Sequence, residues 1–104
     1  MKKLATILLF FSISAQAAFI DGNKLLEYAK EEDRTGNPST MLYGYIAGVH
    51  DAFDSVAVCT PPNATLGQLK AIVIKYLKEN PETWANNGDK VIYFALGAAF
   101  PCKK

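Results

Sequence analysis

His50 is the single histidine of the chain, and Asp51 and Asp54 stand one and four residues after it. On a helix, His50 and Asp54 share a face. A histidine oriented by a carboxylate is the base of a hydrolase site, with Ser55 or Cys59 as nucleophile. The spacing argues against that chemistry. Ser55 lies five residues along and faces His50 poorly, and the glycines of a nucleophile elbow are missing. A metal centre needs three or four ligands, and one His with two Asp on a single helix is a poor set. The expected role is a solvated helix face or a local ion pair worth about 0.5 kcal/mol. No catalytic residue, metal or cofactor is expected.

The second cluster is Trp84 with Asn86, Asn87, Gly88 and Asp89. Trp is enriched at binding hot spots, and a short polar loop held between packed helices can enter a partner's cleft. The alternative is Trp84 as a lid on the core.

The elements around these clusters are helical nearly throughout. A short helix is expected over Lys24 to Asp33, with Leu25, Leu26, Tyr28 and Ala29 on one side. Thr35-Gly36-Asn37-Pro38 breaks it. A second helix runs from about Ser39 to Val56, capped by Ser39 or Thr40. Leu42, Tyr45, Ile46, Val49, Phe53 and Val56 form its stripe. Gly44 and Gly48 each cost about 1 kcal/mol inside that helix, so close approach of another backbone is expected there. After Cys59-Thr60-Pro61-Pro62-Asn63, Thr65 and Gln68 have capping-box spacing. Leu66, Leu69, Ile72, Val73, Tyr76 and Leu77 follow as a third stripe, with Lys70, Lys75 and Lys78 outside it. Asn80-Pro81 ends that helix, and Pro81 starts a further turn. Asp89 is expected to cap a last helix that buries Val91, Ile92, Ala95, Leu96 and Ala99. The reading is an all-α, four-helix globular domain with short extra turns.

Lys2 and Lys3 precede an apolar run from Leu4 to Ile13, and Ala15-x-Ala17 is a signal-peptidase pattern. Residues 1–17 read as a cleaved secretory signal, and residues 18–104 as the exported domain. The run is too short to cross a hydrocarbon core of about 30 Å, so no stable membrane insertion is expected. Half of the 104 residues are hydrophobic and 20% are charged, which suits one folded domain and excludes a disordered tail. The formal charge of +1 argues against a nucleic-acid binder. Export delivers Cys59 and Cys102 to an oxidising compartment, where one intramolecular bridge is available. That bridge would be worth about 4 kcal/mol in the chain-entropy model. A reactive thiol is the alternative, weakened by the lack of a CxxC pair and by the place of Cys102 beside the C-terminus.

Several motifs stand in a telling order. Gly44-Tyr45-Ile46-Ala47-Gly48-Val49-His50-Asp51-Ala52 is followed by Cys59-x-Pro61-Pro62 and Thr65-Leu66-Gly67-Gln68-Leu69. Lys75-Tyr76-Leu77, Asn80-Pro81-Glu82 and Ala98-Ala99-Phe100-Pro101-Cys102 come after. From Gly22 to Cys102 the chain resembles the Rap/Tai family of small periplasmic immunity proteins against type VI secretion amidases. The family commonly carries cysteines where this chain has Ala29 and Leu42. Losing both together suggests one missing bridge, and leaves Cys59–Cys102 as the other. The resemblance implies a non-catalytic periplasmic domain that occludes a papain-like cysteine hydrolase cutting peptide crosslinks of the cell wall. It also implies a homodimer, for which the Gly44/Gly48 face is one place. The candidate effector interface is Trp84, Asn86, Asn87 and Asp89, then His50, Asp51 and Asp54. An alternative function is a periplasmic acid-stress chaperone of the HdeA kind, or an orphan envelope protein of the same family.

Overall fold

The computed structural model describes residues 19–103. The expected signal peptide and its cleavage point lie outside the described residues. Four helices carry the fold: α1 (Gly22–Thr35), α2 (Thr40–Phe53), α3 (Leu66–Glu79) and α4 (Gly88–Ala99). A single 3-10 turn, Pro81–Thr83, separates α3 from α4. Among the described residues there is no β-strand, only isolated bridges at Asp21–Asn87 and Asp54–Val58. The all-α, four-helix expectation holds.

Local chemistry sets the helix ends. Asp21 caps α1 by accepting from the Lys24 N–H at 2.9 Å, which begins the helix two residues earlier than expected. Gly36 ends it at φ 76°, a left-handed conformation that glycine adopts without strain, and its N–H returns to the Glu32 carbonyl. Ser39 caps α2 through Leu42 N–H at 3.1 Å. The Thr65–Gln68 capping box is complete, with bonds of 2.8 and 3.1 Å.

Leu25 from α1 packs with Leu42 and Ile46 from α2 and Leu69, Val73, Ile74 and Leu77 from α3. Val91, Ile92, Ala95 and Leu96 of α4 and Val58 of the linker complete the buried cluster. Leu42 and Ala29, the positions where the resemblance implies cysteines, are respectively buried in and packed against this core. Simple apolar contact occupies both places.

Four details differ from the sequence reading. Helix α2 stops at Phe53, because Ser55 turns to φ 67°, so Val56 is 78% exposed and Val58 takes the core position. Ala99 and Leu66 are exposed, while Ile74 is buried. Asp89 is not the cap of α4: Asn87 holds that position, and the Asp89 carboxylate accepts from Lys90 N–H in the first turn. Finally, Gly44 and Gly48 admit no neighbouring backbone among the described residues. A Cβ on either would meet no atom within 4 Å. The tight glycines are Gly22 and Gly88 instead. A Cβ on Gly22 would sit 2.8 Å from the Trp84 carbonyl oxygen. One on Gly88 would sit 2.9 Å from the Ile20 carbonyl oxygen and the Tyr45 ring. Real Cβ atoms do not approach so closely, so these two sites require glycine.

The expected disulfide is present. Cys59 and Cys102 are bonded with Cα atoms 4.9 Å apart, and Cys59 N–H also donates to the Phe100 carbonyl at 2.9 Å. The bridge ties the linker after α2 to the chain end after α4.

Candidate functional site

The structure brings Trp84, Asn86, Asn87 and Asp89 together in one loop and fastens it by main chain. The N–H groups of Gly22 and Asn23 donate to the carbonyls of Asn86 and Trp84 at 3.0 and 2.9 Å. The Gly88 N–H donates to the Ile20 carbonyl at 2.7 Å. These three bonds dock the entry of α1 along the loop, which explains why Gly22 and Gly88 can carry no side chain.

Trp84 is anchored to the helix core and still partly exposed. Its indole N–H donates to the Leu77 carbonyl at 2.7 Å, satisfying the open end of α3. The residue is nevertheless 36% exposed, so part of the indole remains at the surface. The anchor fixes the ring direction, and the exposed edge keeps a contact surface.

Asn86 and Asn87 hold the loop through their backbones. Among the described residues neither side-chain amide makes a hydrogen bond, although Asn87 holds the N-cap position where Asn commonly bonds the first turn. Both residues are half-buried. Asp89 is exposed and lies in the first turn of α4, where a negative charge is favoured. Burial pushes the Tyr45 hydroxyl of α2 above its ordinary value, and the Asp89 charge pushes the same way. Sequence reasoning missed Tyr45 as a neighbour of this loop. The residues are more than forty positions apart, and no local signal joins them.

The second cluster is organised differently. His50 Nδ1 lies 2.9 Å from an Asp51 oxygen, and Nε2 lies 3.0 Å from the Thr60 hydroxyl. Asp54 stands farther off, at 3.8 Å from Nε2. The imidazole is only 15% exposed, so of the two expected roles the local contact with Asp51 and Asp54 is the one seen, and the solvated face is not. Both ring nitrogens are occupied by the chain's own groups. Asp51 and Asp54 remain exposed along a cleft of about 360 Å³ that Pro61, Pro62, Leu66 and Leu69 also line. Ser55 and Cys59 do not join the imidazole as nucleophiles: Cys59 is oxidised, and the bond at Nε2 goes to Thr60.

Among the described residues no group of three His, Cys, Asp or Glu side chains could hold a metal ion. Nor is any described helix long and apolar enough to cross a membrane.

A family model described as Rap1a immunity proteins matches residues 21–102. The match runs from the N-cap of α1 to the second cysteine of the bridge, so it takes in all four helices, the loop and the histidine clamp. No curated protein and no solved structure matches the chain. With the family model covering most of its length, the chain belongs to the Rap1a immunity protein family.

Proposed function

We propose that this protein is a periplasmic immunity protein that binds and occludes the active site of a type VI secretion peptidoglycan amidase. The family supports immunity against a secreted effector. The observation that carries the finer reading is the 84–88 loop, whose backbone is clamped while the Asn86 and Asn87 amides make no hydrogen bond among the described residues. A plug for an enzyme groove needs that combination. A pre-set backbone loses little freedom on binding, and free polar tips can pair with groups that normally hold an extended peptide. The acidic tip Asp89 and the exposed edge of Trp84 extend the same surface. Asp51 and Asp54 form the second contact. Residues 1–17 direct the chain to the periplasm and are removed there. The effector is a papain-like cysteine hydrolase that cuts peptide crosslinks. The open α2 face at Gly44 and Gly48 leaves room for a second copy of the chain in a homodimer.

The test is a pull-down with the oxidised domain, residues 18–104, from cells with type VI secretion active. Recovery of one small cysteine hydrolase, inactive in the complex, is the expected result. Asn86→Arg with Asn87→Arg keeps every backbone bond of the loop and should weaken that complex at least about thirtyfold. Unchanged affinity in the double variant would remove the loop from the interface, and absence of any hydrolase would overturn the amidase reading.

A further inference from the structure

Glu32 lies near the C-terminal end of α1, yet its side chain is only 10% exposed. Both carboxylate oxygens are committed to other elements. Oε1 accepts from Lys70 Nζ of α3 at 2.9 Å, and Oε2 accepts from the Ser39 N–H at 2.8 Å. Ser39 in turn caps α2 through Leu42. One carboxylate therefore joins three helices. The other described ion pairs of α1, Lys24–Glu27 and Arg34–Glu31, lie within that helix on its exposed surface and link it to nothing else.

We infer that Glu32 is an acid-release latch that holds the C-terminal half of α1 to the start of α2 and to α3. Protonation removes the charge that Lys70 pairs with, while Lys70 stays charged. It also weakens the acceptor of the Ser39 N–H. The other charged groups along this groove are Asp33 of α1 and Lys75, Lys78 and Glu79 of α3, and the Tyr43 ring lies 5.5 Å from Lys70 Nζ. Lys75 is paired with Glu79, so neither replaces the Glu32 contact.

The direction of titration agrees with this geometry. Burial pushes the Glu32 carboxyl up, but the Ser39 N–H and Lys70 together hold it below its ordinary value of 4.5. A lowered carboxylate adds stability above its unfolded value, and that stability is lost as pH falls through the lower folded value. The latch is thus closed at neutral pH and opens below about pH 4.5. The other end of α1 stays in place, because its three bonds to the 84–88 loop are between backbone groups that do not titrate.

Native-state hydrogen exchange on the oxidised domain, corrected for intrinsic rates, tests this between about pH 7 and about pH 3. The Ser39 amide and the last turn of α1 should lose protection about tenfold on acidification, ahead of α3 and α4. Glu32→Gln keeps the size and an acceptor but cannot ionise, so it should show the lower protection at neutral pH and no acid step. Lys70→Met should move the acid step to higher pH. The latch is overturned if Glu32→Gln keeps the same acid step, if Lys70→Met leaves the step in place, or if all helices lose protection together.

Discussion

The loop from Trp84 to Gly88 and the linker from Asp54 to Thr65 both run over the same four-helix core, and they are fastened by different groups. The loop is held by main-chain bonds from Ile20, Gly22, Asn23 and Gly88, with one indole anchor. The linker is held chiefly by side chains: the Cys59–Cys102 bridge and the His50–Thr60 contact, with Val58 pressed into the core, and the Cys59 N–H bond to the Phe100 carbonyl adds main-chain support. Main-chain fastening demands glycine where two strands of backbone meet, and it frees side chains for the surface. Side-chain fastening tolerates bulk but consumes the groups that could otherwise meet a partner. The contrast favours the loop over the His50 cluster within the proposed interface. The imidazole there is already spent on the protein's own linker.

Three changes would sharpen or break that contrast. The largest effect is expected from Cys59→Ser with Cys102→Ser. The cysteines are 43 positions apart, and losing a bridge over such a loop costs about 4 kcal/mol in the chain-entropy model. Urea unfolding with and without reductant measures it. A loss under about 1 kcal/mol would mean that His50, Thr60 and Val58 hold the linker without help.

Next comes Gly88→Ala. The new methyl would press on the Ile20 carbonyl and the Tyr45 ring at 2.9 Å, with an overpacking cost of about 2 kcal/mol. The same unfolding experiment reads it. A neutral result would show that the entry to α1 can swing aside, and the loop would lose its claim to a pre-set backbone.

The smallest effect, and of opposite sign, is expected at the open glycines. Gly44→Ala and Gly48→Ala should each raise stability by about 0.5–1 kcal/mol, because the helix gains propensity and the methyl meets nothing. A fall in stability, together with a changed sedimentation profile, would reveal a second chain on that face of α2.

Much of the fold was legible because its signals are local. The apolar spacing marked all four helices. Thr65 and Gln68 named their own capping box, and Gly36 with Pro38 named the break after α1. The cysteine pair followed from having two cysteines and an expected export signal. The stripe reading failed where one backbone angle intervened: Ser55 at φ 67° rotates Val56 out and Val58 in. Lys70 looked like one more outward lysine, since its partner Glu32 is 38 residues away. As for the candidate site, the loop residues were found from the type of Trp84 and the polar run behind it. That Asn86 and Asn87 would be left uncommitted could not be read from their types. The local contact of His50 with Asp51 and Asp54 was legible from their spacing, but its burial was not, because Thr60 reaches it from the linker.

The sequence by itself determined the helices, the caps of α2 and α3, the single bridge and the family motifs, since each depends on residues a few positions apart or on residue type alone. Only the tertiary structure decided what the glycines are for. Gly44 and Gly48 have the spacing of a packing motif and face open space, whereas Gly22 and Gly88 have no such pattern and sit against backbone. Glycine is required only where another atom occupies the place of its missing Cβ. Here those atoms belong to Trp84, Ile20 and Tyr45, which only the folding of distant segments onto one another brings there.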